Sequence, residues 1–145
     1  MTTSAIEEAI PHRPPMLLVD RIVERREDWI CCEKTFRDDE FFVQGHYPGQ
    51  PIVPGVILCE FAMQSGAILL SQHLAGADGV PVATRMNDVR FRRMVRPGDV
   101  VQAEVQLDER LAQAFYLTAK VVCQGKVAVR FQFACTLAPA DSPPS

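Results

Sequence analysis

The chain has 145 residues, the usual size of one domain, and 48% of them are hydrophobic, which is enough for a single core. Its 15 Lys and Arg against 18 Asp and Glu leave a formal charge of −3, so there is no global basic field, and nucleic acid is excluded as the main partner. The first ten residues carry two glutamates and no Lys or Arg, the wrong chemistry for a signal or transit peptide, which makes the cytoplasm the expected location.

In chain order, residues 4–10 read as a short helix, stopped by Pro11 and by the pair Pro14 and Pro15. Residues 16–24 and 29–37 read as strands joined by a charged turn. From Pro54 to about Leu74 there is no further proline, and Gly76, Asp78 and Gly79 end the stretch. This is the one long helix the chain offers. The apolar run 52–74 is broken by Glu60, Gln64 and Ser65, so it reads as a buried helix rather than a membrane span, and no membrane partner is expected. Because it is apolar nearly all the way round, other elements must cover it on most sides.

The C-terminal half alternates with period 2. Val101, Ala103, Val105 and Leu107 take one face; Phe115, Leu117, Ala119 and Val121 repeat the pattern, as do Val127, Val129, Phe131, Phe133, Cys135 and Leu137. With 82–94 these segments are expected to form a meander whose inner face needs an apolar partner. The expected fold is α+β, a curved antiparallel sheet wrapped round one central helix, as a single domain over 1–138 with a flexible tail at 139–145. The five cysteines, Cys31, Cys32, Cys59, Cys123 and Cys135, show no CxxC pair and no histidine at metal-ligand spacing. They read as small buried hydrophobes, with Cys31 and Cys32 on opposite faces of a strand.

One stretch stands apart: GHYPGQPIVPGVILCEFAMQ, residues 45–64. Pro48, Pro51 and Pro54 fix φ at three places and bias the preceding residues toward extended backbone, a rigid lead-in that holds His46. Pro54 suits the first turn of a helix, and Gly55, with no side chain, lets a ligand approach the orphan N–H groups there. Glu60 is the only charged residue between Gly49 and Gly76. Buried without a partner it would cost several kcal/mol, so it is either a satisfied buried polar bonded to Gln64 at i+4 or a working acid.

The blocks IPHRPPMLLVDRI, FFVQGHYPGQPIVPGVILCEFAMQ and VRFRRMVRPGD resemble, in order, those of the 3-hydroxyacyl-acyl carrier protein dehydratases of bacterial fatty-acid synthesis, of the hotdog fold. The resemblance runs from about residue 6 to 137, and its most specific part is GHxPxxPxxPG with a carboxylate 14 positions after the histidine. It implies His46 as the base that removes the α-proton of a (3R)-3-hydroxyacyl thioester and Glu60 as the acid that protonates the departing hydroxyl. The N–H of Gly55 would polarise the thioester carbonyl, and Val56, Phe61 and Gln64 would line the substrate site. No metal or redox cofactor is implied. The implied partners are an acyl carrier protein bearing the phosphopantetheine-linked substrate and a second copy of the chain, in a homodimer that completes each site, with a hexamer as trimer of dimers a further assembly.

The glutamate at position 60, where isomerising relatives carry aspartate, points to dehydration alone. The chain departs from the resemblance at Phe61, where a small residue is usual, and at Val82 and Ala83, where aromatic tunnel gates are usual. Arg85, Arg90, Arg92, Arg93 and Arg96 form a basic cluster suited either to an acidic carrier or to a solvated strand edge. His12 and His73 have no acid nearby in sequence and read as structural or surface residues. Two rivals stay open: a hotdog thioesterase, and a non-catalytic acyl-binding regulator.

Overall fold

In the computed structural model, which describes residues 3–45, 49–74 and 79–138, the alternating C-terminal segments become the centre of one antiparallel sheet. His46, Pro48, Gly76, Asp78 and the tail 139–145 lie outside the described residues. The elements are α1 (Thr3–Ala9), β1 (Arg21–Arg25), β2 (Trp29–Thr35), α2 (Gly55–Ser71), β3 (Val80–Phe91), β4 (Val100–Leu111), β5 (Ala114–Cys123) and β6 (Lys126–Ala138). Strand β5 buries every second residue along its length, and β4 does so over its first half. Gln124 and Gly125, both at positive φ, make the tight turn into β6.

The strand order is β1-β2-β4-β5-β6-β3. The expected meander therefore holds for β4, β5 and β6 but not for β3, which pairs with β6 at the far edge. The physical reason is the crossing made by residues 92–99. Their backbone is bonded in turn to Ala128, to Val53 and to Phe36, carrying the chain from the β6 side back to β4 beside β2. An edge position also tolerates Pro81, which lacks a ladder N–H, and leaves most of β3 exposed.

Two strand boundaries differ from expectation for a related reason. β1 begins at Arg21 rather than at residue 16, because the Leu18 N–H is taken by the Gln64 side chain instead of a neighbouring strand. β2 ends at Thr35, after which Phe36 pairs with Asp99 and Gly98 of the crossing segment.

Helix α2 lies against the inner face of the sheet. Ten of its residues are buried, among them Leu58, Phe61, Ile68 and Leu69, and Val56 is its one exposed residue. Gly66 permits the close approach: a Cβ there would sit 2.8 Å from the Phe133 ring. On the other side Ile6 and Ile10 join the same core. Cys32, Cys59, Cys123 and Cys135 belong to it as well, whereas Cys31 lies on the opposite face of β2, 3.7 Å from the Gln102 amide oxygen, and is also buried.

Burial raises all five thiols. Cys32 is pushed up to about 12, and Cys31, Cys59 and Cys135 to about 11, from an ordinary value of 9.0; Cys123 is raised in the same direction. At pH 8 a thiol at 11 is thiolate in roughly one molecule per thousand, so a disulfide reagent should modify the native chain slowly and all five thiols quickly in denaturant. These groups hold their protons longer when folded than when unfolded. Urea-unfolding stability should thus be insensitive to them below pH 9 and fall as pH rises from 9 toward 12.

Candidate active site

The start of α2 is prepared by its lead-in. The Val53 N–H donates to the Val95 carbonyl at 2.7 Å, and Pro54 follows with φ −57° and ψ 135°, extended and without a capping side chain. The first turn closes when Ile57 and Leu58 donate to the Pro54 carbonyl at 2.9 and 3.4 Å. The N–H groups of Gly55 and Val56 take no part in those bonds and have no partner among the described residues, at the positive end of the helix dipole. A Cβ on Gly55 would lie 2.5 Å from the Phe91 ring, which shows how closely that ring approaches the helix start.

Five residues on, Glu60 interrupts the apolar helix. Its side chain keeps 27% of its surface exposed, so it is less desolvated than an apolar surround implies. The reason is its place on the wall of a cavity of about 210 Å³ shared with His12, Met63, Gln64, Ala67, Pro81, Val82, Ala83 and Cys135. Apart from the three polar side chains and the thiol, this cavity is walled by small or flexible apolar groups.

Gln64 is buried and uses its whole amide. Its Oε1 accepts from the Leu18 N–H at 2.9 Å, while Nε2 donates to the Met16 carbonyl at 2.9 Å and to Glu60 Oε2 at 2.8 Å. The i+4 bond expected from spacing is therefore present. The bonds to residues 16 and 18 link the helix to the N-terminal segment, a connection that local spacing does not reveal.

His12 is the residue that sequence reasoning missed. Its Nε2 lies 3.8 Å from Glu60 Oε2, and its Nδ1 is buried without a partner among the described residues. The only sequence signal was its position in the block IPHRPP, since 48 positions separate it from Glu60. His73, by contrast, contacts the Glu27 carbonyl at 2.6 Å, away from this cavity.

The remaining predicted residues are dispersed. Val56 is 70% exposed at the helix start. Phe61 is fully buried, its ring edge-on to Phe36 with centroids 6.5 Å apart. The turn that leads toward position 46 is anchored by a second polar contact absent from the sequence reading. Buried Lys34 of β2 pairs with buried Glu40 at 2.9 Å, and Glu40 accepts from the Arg37 N–H as well. Phe42 packs edge-on against Phe36 beside this pair.

Arg85, Arg90, Arg92, Arg93 and Arg96 are all exposed. Arg90 and Arg92 share a cavity of about 330 Å³ with Arg130 of β6, which extends the basic cluster, and with Asp88, which pairs with Arg90 at 3.0 Å. A larger hollow, about 690 Å³, lies beside the lead-in between Asp38, Pro51, Ile52, Met94 and Arg96. Among the described residues Glu60 is not on its wall but on that of the smaller cavity. Among the described residues no three His, Cys, Asp or Glu side chains are grouped to hold a metal ion, and no helix is long and apolar enough to cross a membrane.

Comparison with known proteins bears on this arrangement. The FabA-like domain family matches residues 10–132. A 3-hydroxyacyl-[acyl-carrier-protein] dehydratase, FabZ, of Pseudothermotoga lettingae is 40% identical over 127 residues, covering 88% of this chain and 89% of that protein. FabZ of Oenococcus oeni is 43% identical over 110 residues, covering 75% and 79%. Among solved structures, the dehydratase heterocomplex ApeI:P from Xenorhabdus doucetiae matches with a TM-score of 0.81 over 93% of this chain and 91% of its own, at 16% identity, a likeness of fold alone. That shared fold is the hotdog, a curved antiparallel sheet round one helix.

The Gln64 contacts carry a stability prediction. Gln64→Leu leaves the buried Leu18 N–H unpaired in the interior, at roughly 1–3 kcal/mol, and removes the donor of the Met16 carbonyl, which belongs to an exposed residue. Urea unfolding should show that loss, and Gln64→Glu, which sets a second buried carboxyl against Glu60 where the amide donated at 2.8 Å, should lose at least as much when ionised.

Proposed function

Because this chain belongs to the FabA-like family and, within it, to the 3-hydroxyacyl-acyl carrier protein dehydratases, we infer that it dehydrates 3-hydroxyacyl thioesters of acyl carrier protein in fatty-acid biosynthesis, and we propose the residues that do so. His46 removes the α-proton of the (3R)-3-hydroxyacyl group. Glu60, in its acid form, protonates the 3-hydroxyl as it leaves as water, and the product is the trans-2-enoyl thioester. The N–H groups at Gly55 and Val56 donate to the thioester carbonyl oxygen as it gains enolate character. No oxidation state changes overall, so the reaction needs no redox partner.

One observation supports this reading most. Both Gln64 Nε2 and His12 Nε2 approach the same oxygen of Glu60, Oε2, which leaves Oε1 without a partner among the described residues, on the wall of a cavity otherwise largely apolar. A carboxyl held by one oxygen and free at the other can pass a proton to a bound hydroxyl. Gln64 then serves the substrate indirectly, by holding Glu60. Phe61 acts through packing against Phe36, and Val56, an exposed residue, through its N–H at the helix start.

The proposed second copy has a surface to use. β3 is a twelve-residue edge strand with Val82, Met86 and Phe91 exposed along it, a template that another β3 could extend. In such a dimer His46 of one subunit meets Glu60 of the other, and larger assemblies, a hexamer as trimer of dimers among them, repeat that unit. The exposed arginines from 85 to 96, with Arg130, receive the acidic carrier.

The assay follows 3-hydroxybutyryl and longer 3-hydroxyacyl carrier thioesters by enoyl absorbance and free thiol together. Enoyl product without thiol is expected. Glu60→Gln and His46→Ala should each lower turnover by about 10² to 10⁴ while the chain stays folded. Thiol release without enoyl product would replace the dehydratase with a thioesterase, and near-normal turnover in either variant would remove that residue from its role. Raising salt should increase KM for the carrier-linked substrate and leave KM for the same acyl group on pantetheine alone unchanged.

A further inference from the structure

We propose that His12 is a positioning residue for the Glu60 carboxyl, an inference that rests on the reading of Glu60 as the acid. Its imidazole stands on the wall of the Glu60 cavity with Nε2 3.8 Å from Oε2, the oxygen already held by Gln64 at 2.8 Å. The ring is set by its neighbours in sequence. Pro11 fixes the backbone before it, and the Arg13 guanidinium after it donates to the carbonyls of Glu7, Ile10 and His12 itself at 3.0, 2.9 and 2.7 Å, closing the end of α1. Three backbone carbonyls on one guanidinium make this a fixed corner of the chain.

The tautomer follows from burial. Nδ1 is buried with no partner among the described residues, so a hydrogen placed there would be a donor without an acceptor, whereas a hydrogen on Nε2 leaves only a lone pair unmatched. The neutral ring therefore carries its hydrogen on Nε2, the nitrogen 3.8 Å from Oε2. The separation of 3.8 Å is longer than a hydrogen bond, and such contacts in unliganded sites tighten when substrate fills the cavity. Closing it gives Oε2 two donors, turns the carboxyl plane and presents Oε1 to the leaving hydroxyl. His12 thus acts on where the acid stands. It transfers no proton to substrate.

Positioning of this kind raises kcat more than it changes KM, and displacement of a catalytic group by about 1 Å costs up to about a hundredfold. The test is steady-state and single-turnover dehydration of a 3-hydroxyacyl carrier thioester by His12→Leu, His12→Gln, Glu60→Gln and the double variant His12→Leu with Glu60→Gln, each checked for folding by urea unfolding. His12→Leu should lose about tenfold to a hundredfold in kcat with KM within about threefold. His12→Gln, whose amide places an N–H near the position of Nε2, should recover most of that loss. In the Glu60→Gln background, His12→Leu should cost nothing further. If His12→Leu does not fold, His12→Asn, whose amide reaches only the Nδ1 position, should show the same loss.

Wild-type kcat in the leucine variant, equal impairment of the leucine and glutamine variants, or an undiminished effect without Glu60 would each overturn the proposal. Failure of the underlying reading looks different: Glu60→Gln would then itself turn over normally. A dead Glu60→Gln beside a normal His12→Leu refutes the positioning role alone.

Discussion

The amide of Gln64 joins three parts of the molecule through one buried side chain. It accepts from Leu18, donates to Met16 and donates to Glu60, so the central helix, the N-terminal segment and the candidate acid are fixed by the same group. A helix that is apolar on nearly every side has few ways to specify rotation and depth within a curved sheet, because one apolar contact is much like another. Directional bonds supply what burial lacks. The same bonds explain why the first strand starts late, since the Leu18 N–H is withdrawn from the ladder. They also bring the corner that carries His12 to the Glu60 side of the helix.

What the amino-acid order reveals depends on how far apart the interacting groups lie. Alternation along β5 and β6 was readable because each strand's pattern reports its own faces, and the Glu60 to Gln64 bond was readable because one helical turn connects the two. The place of β3 was not. Its residues do not alternate in burial, as an edge strand with one paired side need not, and the route of residues 92–99 is set by bonds to Phe36, Val53 and Ala128 in three other parts of the chain. His12 escaped for the same reason, being distant in sequence and close only after the corner at Arg13 has formed. Glu60 was legible as an anomaly, but its remaining exposure depended on a cavity that Pro81 to Ala83 help to wall from the opposite edge of the sheet.

The site also shows a division of labour between polar and apolar walls. One corner of the cavity holds His12, Glu60 and Gln64, and the rest is Met63, Ala67, Pro81, Val82, Ala83 and a buried thiol. A flexible methionine and small side chains adapt to an apolar chain, whereas the polar corner is bonded into place. Phe61, the bulky departure from the pattern suggested by resemblance, packs against Phe36 rather than adding to that wall. Its volume is absorbed by the core.

The ion pair of Lys34 with Glu40 has a consequence for how this sequence can drift. Each partner is almost wholly removed from water, at 3% and 8% exposure. Loss of Lys34 strands the Glu40 charge, and loss of Glu40 leaves Lys34 only the exposed Asp20 carboxylate at 3.8 Å; a stranded buried charge costs about 3–5 kcal/mol, a large share of the roughly 5–15 kcal/mol that separates a folded domain from its unfolded chain. Exchange of both for apolar side chains of similar volume removes the two penalties together. Positions 34 and 40 are accordingly yoked: the viable neighbours of this chain in sequence space hold both charges or neither, and the intermediate with one is a valley between them.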